Sequence, residues 1–205
     1  MKSKIVVFDF DKTLTYNDTL FGFFVCASKI NILFPLKVGI YFTLMVLAKI
    51  KLLSNTKLKE LGVLIFLKNK KSSELRKSSV SYKKTIKFNK LFSKYNFNNE
   101  NIYIVSASFE DYLNSIFTDN VTIIGSQLTY SQDLVCGLKF NCYNKNKIDA
   151  LANANVFKIS EFYTDSYSDF PLASISEKII IVNGDRLHVC NNIKEFNTYF
   201  GKPNK

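Results

Sequence analysis

The chain has 205 residues, 47% of them hydrophobic, and a formal net charge of +11. That is enough apolar material for one sizeable core with an inserted module, and it excludes a disordered chain. Four cysteines (Cys26, Cys136, Cys142, Cys190) without a CxxC pair argue against a zinc cluster or disulfide framework and for a reducing compartment, while a single histidine, His188, argues against serine–histidine triads, multi-histidine metal sites and cysteine–histidine proteases.

The first predicted element is a strand over Lys4–Phe10 that runs into Asp9 and Asp11. Met1-Lys2-Ser3-Lys4 leads straight into it, so no signal peptide is expected and the chain reads as cytoplasmic. Residues i and i+2 of a strand share a face. The two carboxylates therefore converge at the end of a buried strand, where they are costly unless they bind something. A hard divalent cation, which takes oxygen ligands, is the natural partner.

From about residue 18 to 95 the pattern is helical, with lysines between apolar positions and a turn expected at Asn69-Lys70-Lys71-Ser72-Ser73. This segment carries 16 basic residues against three acids, a net +13, so the rest of the chain is net −2. Such a surplus suits an anionic partner, and it equally suits a plain solvated face. Within it, Ile30–Ala48 is apolar apart from Asn31, Pro35, Lys37 and a few small residues, with Lys29 and Lys49 at its edges. Its uninterrupted part, Val38–Ala48, is 11 residues long, against about 20 for a spanning helix. It reads as a buried helix or one lying in a membrane interface; a span would need Lys37 to snorkel.

Strands are then expected at Ile102–Val105, Phe157–Tyr163 and Lys178–Val182, and helices at Phe109–Phe117 and Lys145–Asn153. A hairpin is expected over Val121–Phe140 with Gln132-Asp133 near its turn. Short continuous apolar strands alternating with helices imply an α/β fold with a doubly wound parallel sheet, here with an all-helical insertion. The domain reading is residues 1–17 and 96–205 as core and 18–95 as insertion. In such folds the site lies beyond the carboxyl ends of the strands, where Asp9/Asp11, Ser106/Ser108 and Asp165/Asp169 fall.

Four pieces stand in order: Asp9-x-Asp11-x-Thr13, then Ser106 after Ile102–Val105, then Lys147 opening a helix, then Thr164-Asp165-Ser166-x-x-Asp169. Each is weak alone, since Ser and Asp are common turn residues. Cys142 reads as packing, because no His or second Cys is near enough in sequence to activate it.

Together these pieces resemble the haloacid dehalogenase (HAD) superfamily, in the phosphoserine phosphatase-like subclass. Phe8-Asp9-Phe10-Asp11-Lys12-Thr13-Leu14-Thr15 matches its first motif and Val105-Ser106-Ala107-Ser108 its second. Gly137 to Lys147 resembles the approach to the third-motif lysine, Thr164 to Leu172 the fourth motif, and Val182-Asn183-Gly184-Asp185 a further element. Thr164 and Asn144 stand where glycines are usual. The basic, apolar insertion also resembles the cap of phosphatidylglycerophosphatase C-like members.

The resemblance implies a HAD-like Rossmannoid core under a helical cap, and magnesium-dependent phosphomonoester hydrolysis through an aspartyl-phosphate. It makes Asp9 the nucleophile and Asp11 the general acid and base. Ser106 and Lys147 would hold phosphoryl oxygens, and Asp9, Asp11 through its carbonyl, and Asp165 would bind Mg2+. Thr13 and Asp169 are supporting, and Ser108 and Asn183 are rim candidates. With the positive and apolar surplus in the cap, the expected substrate is a lipid or other amphiphilic phosphate, with possible docking on the inner face of a membrane. One alternative is a cytosolic phosphatase of a small metabolite such as phosphoserine. Another is a non-catalytic basic module for nucleic acid or membrane, which few arginines and the intact acidic set disfavour.

Overall fold

Seven strands form one sheet, β1 (Val6–Phe8), β2 (Ile102–Phe109), β3 (Thr122–Ser131), β4 (Leu134–Phe140), β5 (Ile159–Thr164), β6 (Ser176–Asn183) and β7 (Arg186–Cys190), in the order β4-β3-β2-β1-β5-β6-β7. They are seen in a computed structural model that describes residues 4–28, 30–98 and 101–203. The lead-in Met1–Ser3 and Lys29, both used in the sequence reading, lie outside the described residues. The five central strands are parallel, and β4 and β7 pair antiparallel at the two edges.

The doubly wound expectation thus holds for the centre of the sheet, and β7 is an addition to it. The β3–β4 turn falls on Gln132 and Asp133, both at positive φ (48° and 66°), the backbone that a two-residue hairpin needs. The helix expected over Phe109–Phe117 is a correction. Phe109 still belongs to β2, and the helix α6 is only Glu110–Leu113. The fully buried Phe109 packs its ring against Phe23 and Phe24, and this tertiary contact overrides the local pattern.

Between β1 and β2 lie α1 (Leu20–Ala27), α2 (Phe34–Lys49), α3 (Asn55–Gly62) continued by a π-turn (Val63–Leu67), α4 (Ser72–Lys83) and α5 (Lys90–Lys94). The expected turn is present at its start, but Ser72 and Ser73 already belong to α4. The two connections into this segment pair antiparallel at Thr15 and Phe88. Gly62 permits the tight approach of α3 to its neighbours: a Cβ there would lie 2.5 Å from Phe24 and 2.9 Å from Tyr41. After the hairpin come α7 (Lys145–Asn153), where the sequence places it, and α8 (Phe170–Ala173) and α9 (Ile193–Tyr199).

Alternation along the strands splits the core in two. Val6 and Phe8 of β1, with Ile180 and Val182 of β6, face a cluster continuous with the helical segment, through Phe23, Phe24, Phe66, Tyr82 and Tyr112. Val7, Ile179 and Ile181 face the opposite cluster, with Leu151 of α7 and Phe196 of α9. One side of the sheet is therefore covered by ordinary crossover helices and the other by the inserted helices. The carboxyl ends of the central strands open between them.

Candidate active site

β1 ends at Phe8, and the chain turns into a tight loop in which the Thr13 and Leu14 amides donate to Phe10 O and Lys12 takes φ of 60°. Asp9 keeps its place beside β5, its N–H donating to Tyr163 O at 2.9 Å. Because the strand has already ended, the pleat does not set the direction of Asp11. Its side-chain partners do.

Two hydrogen-bonded groups result. In the first, Lys147 Nζ lies 2.7 Å from Asp9 Oδ1 and 2.7 Å from Asp169 Oδ1. Thr164 donates to Asp169 Oδ2 at 2.8 Å. The Thr13 hydroxyl lies 3.4 Å from both Asp9 Oδ2 and Asp165 Oδ1, so those two carboxylates face one point. In the second, Asp11 Oδ1 accepts from the Thr19 amide (2.8 Å) and hydroxyl (2.6 Å), and Oδ2 from Ser108 (2.5 Å). Tyr112 ties the group together, bonding to Thr19 at 2.7 Å and donating to Ser108. Ser106 is buried behind it, its Oγ accepting from the Ser108 amide at 3.1 Å.

The structure thus brings Asp9, Thr13, Lys147, Asp165 and Asp169 into direct contact and holds Asp11, Ser106 and Ser108 alongside. Lys145 is exposed, whereas Lys147 is buried between Asp9 and Asp169. Asn183 is exposed and lines a rim hollow with Lys12 and Asp165. His188 lies exposed on β7 with its ring 5.0 Å from that of Tyr199, outside the site. Cys142 is fully buried and burial pushes its thiol up to about 12, as packing requires. The two positions that lack the usual glycine are accommodated. Asn144 adopts φ of 54° itself, which Asn tolerates better than most residues, and the Thr164 hydroxyl is what anchors Asp169.

Burial raises Asp9 to about 8 against the pull of Lys147, with Asp169 and Asp165 adding to the rise. Burial also raises Asp165 to about 6, with Asp169 next. Three acids thus share one lysine. Burial, then Asp18, raises Asp11 to about 6, opposed by the bonds from Ser108 and Thr19. Among the described residues no three His, Cys, Asp or Glu side chains form a ready-made metal cage. The donor set nonetheless suits Mg2+, which is held by one or two carboxylates and completed by water and phosphate. Asp9 and Asp165 face one point, and the acidic excess calls for a cation.

Several residues escape sequence reading. Lys59 of α3 is 5% exposed and donates to Ala107 O (2.6 Å), Asn141 Oδ1 (2.6 Å) and Ser126 (3.1 Å), which tethers the helical segment to β2, β3 and the loop after β4. Its one sequence signal is helical spacing, since it shares a face with Gly62, Val63 and Phe66. Asn89, at the neck of the segment, donates to Thr13 O (2.8 Å) and Gly184 O (3.2 Å). A cavity of about 240 Å³ lies against Asp11, with Leu20, Tyr41 and Leu58 on the helical side and Ser108 and Asn141 on the core side.

Burial lowers Lys59 from 10.5 to about 8. Between those values the unfolded chain holds a proton that the native lysine has released, so the Lys59 contribution to stability rises with pH there. Denaturant unfolding of wild type and Lys59→Met at pH 7 and pH 10 checks this: the difference shifts in favour of wild type at the higher pH. A pH-independent difference would mean that Lys59 is solvated.

A family model described as haloacid dehalogenase-like hydrolase matches residues 6–174. No curated protein sequence matches the chain. Among solved structures, a protein of unknown function from Bordetella pertussis Tohama I superposes with a TM-score of 0.70 at 14% identity, over 98% of this chain and 97% of that one. A phosphoserine phosphohydrolase-like protein from Francisella tularensis subsp. tularensis SCHU S4 gives 0.60 at 16% identity, over 96% and 99% of the two chains. A phosphoserine phosphatase in its apo form gives 0.59 at 14%, over 97% and 99%. At these identities the likeness is one of fold.

Proposed function

Because this chain belongs to the haloacid dehalogenase-like hydrolases, we propose that it is a magnesium-dependent phosphomonoesterase that works through an aspartyl-phosphate on Asp9. The observation that carries this reading is the separation of the two aspartates. Asp9 is held against Lys147 in an acidic cluster, while Asp11 is clamped separately by Thr19 and Ser108. Two carboxylates in different environments can take different roles.

Asp9 attacks phosphorus, and the bond to the leaving oxygen breaks as Asp11 gives that oxygen its proton. A pKa raised to about 6 suits Asp11 to carry a proton near neutrality. Water then attacks the phosphorus, its proton passes to Asp11, and the bond to Asp9 breaks, which releases phosphate. An ammonium has three donors, and two on Lys147 are engaged by Asp9 and Asp169, so the third remains for a phosphoryl oxygen. Ser106 spends only an acceptor on the Ser108 amide, so its O–H can donate likewise. Asp9, Asp165 and the Asp11 carbonyl would hold Mg2+, which supplies charge neutralisation between carboxylate and phosphate.

The substrate class follows from the cavity and its cover. The helical segment serves as a cap, and its apolar wall of Leu20, Tyr41 and Leu58 faces the polar residues of the core. That pairing suits an amphiphilic phosphate, such as a lipid phosphate. The modest volume of about 240 Å³ favours, as a second reading, a small metabolite phosphate. The buried acidic cluster speaks against a non-catalytic nucleic-acid module, which would gain nothing from it. Phosphate release from p-nitrophenyl phosphate, phosphoserine and a phosphatidylglycerophosphate is expected with Mg2+ and lost with chelator. A preference for the lipid supports the first reading, a preference for phosphoserine the second. No release from any of the three with Mg2+ present would sink both.

A further inference from the structure

Helix α2 is apolar on all sides, a composition that normally means burial, yet Tyr41 is its one buried residue. Its outer face is a stripe at helical spacing, Leu36, Ile40, Val46 and then Ile50, each from 46% to 60% exposed. The stripe is extended at one end by Ile32 (94% exposed) and at the other by Leu52 (74%). Contiguous exposed apolar surface on this scale marks an interaction face. The sequence reading left a buried helix as one alternative, and this exposure removes it.

Charge identifies the occupant. From residue 19 to 59 the chain contains no acid and six lysines. By helical geometry Lys37 and Lys49 leave α2 on either side of the stripe, and Lys51 follows at its end. An exposed apolar stripe with lysines at its flanks suits the surface of an anionic bilayer, the stripe toward the acyl chains and the lysines reaching the headgroups. A second copy of this chain docked face to face would set those lysines against their counterparts, with no acid between residues 19 and 59 to offset them. Insertion across the bilayer is not available to it: among the described residues no helix is long and apolar enough to cross a membrane.

We infer that α2 docks the protein on anionic phospholipid surfaces, lying in the interfacial plane with the Leu36–Ile50 stripe among the acyl chains and Lys37, Lys49 and Lys51 at the headgroups. The inner side of the same helix puts Tyr41 into the wall of the cavity beside Asp11. Docking would therefore bring the mouth of the site to the level of lipid headgroups. The inference rests on the amphiphilic-phosphate reading for its purpose, though not for its test.

The test is flotation of the full chain with phosphatidylcholine vesicles, with and without phosphatidylglycerol. Wild type floats with the phosphatidylglycerol-containing vesicles, less so at high salt. Leu36→Ser/Ile40→Ser/Val46→Ser lowers the partition by at least about tenfold. All three side chains are exposed and outside the site, so hydrolysis of soluble p-nitrophenyl phosphate stays at the wild-type rate and certifies the fold. Failure of wild type to float, or equal flotation of the triple variant, overturns the inference. A wild-type dimer that the triple substitution splits, without flotation, gives the face to a second copy instead. Flotation without phosphatase activity would leave docking standing and sink the enzymatic reading, so the two fail separately.

Discussion

Asp9→Asn lowers phosphate release by at least about 10⁴-fold while the protein stays folded. Asparagine has nearly the same shape and keeps one side-chain oxygen to accept from Lys147, with its NH2 toward the Thr13 hydroxyl, which can accept, but the amide is no nucleophile toward phosphorus. The substitution also removes one of the three acids that share Lys147, so no loss of thermal stability is expected without metal; a small gain would follow from the burial that raises Asp9 to about 8. Single-turnover phosphate release and thermal unfolding, run side by side in chelator and in Mg2+, separate the two effects. Residual turnover within tenfold of wild type would make another group the nucleophile. Activity lost together with the fold would make Asp9 a structural residue first.

Lys147→Met acts on both stability and rate. The lysine is 3% exposed and is ion-paired with Asp9 and Asp169 at 2.7 Å each. Removing one partner of a buried pair costs about 3–5 kcal/mol, because the remaining charge stays buried. For a chain of this size each kcal/mol lowers the melting temperature by about 2–4 °C, so a fall of about 10 °C is expected. The rate falls by about 10³-fold as well, since a cation aimed at the phosphoryl group is lost. The pH dependence has a definite sign. Asp9 is raised from 3.8 to about 8, so the native state holds its proton where the unfolded chain does not. That contribution is complete below about pH 4 and is lost as pH rises through 8. Without Lys147 the native carboxylate is raised further. In chelator, the stability deficit of the variant is therefore flat between about pH 4 and 8 and widens as pH rises past about 8. A variant that melts with wild type at pH 8.5 would mean that the ion triad holds nothing together.

Much of this architecture is legible in short stretches of sequence, and the reason is that the signals are local. The run Val6-Val7-Phe8 is apolar on both sides because both faces of β1 are covered. Gln132-Asp133 sits between two alternating stretches and takes the positive φ that the hairpin demands. Helix α7 begins and ends where its pattern does. The motif pieces at Asp9, Lys147 and Thr164-Asp165 are legible for a related reason: each occupies a strand end or helix start, whereas Ser106, expected just past a strand, lies inside β2, which runs on to Phe109.

What was not legible depends on partners far away in sequence. Phe109 reads as helical until Phe23 and Phe24 of α1 are packed against it. Lys59 is one of 15 lysines in residues 18–95, and only its helical spacing with Gly62, Val63 and Phe66 tells it from Lys57, which stays exposed beside Glu60. Only the docking of α3 on β2, β3 and the loop after β4 buries it. Thr19, Tyr112 and Asn89 follow the same rule: Thr19 meets Asp11, Tyr112 meets Thr19, and the Asn89 amide meets Thr13 only after the helical segment folds back over the sheet. α2 is the converse case. Its composition says burial, and the tertiary arrangement covers Tyr41 but leaves the outer stripe in solvent.

The amino-acid sequence by itself determined the α/β core, the acidic and basic motif residues and their order at the strand ends, because periodicity and turn chemistry act over a few residues. Only the tertiary structure decided that Lys59 is buried, how Asp11 is oriented apart from Asp9, and which face of α2 remains uncovered, because each is settled by contacts between segments many residues apart.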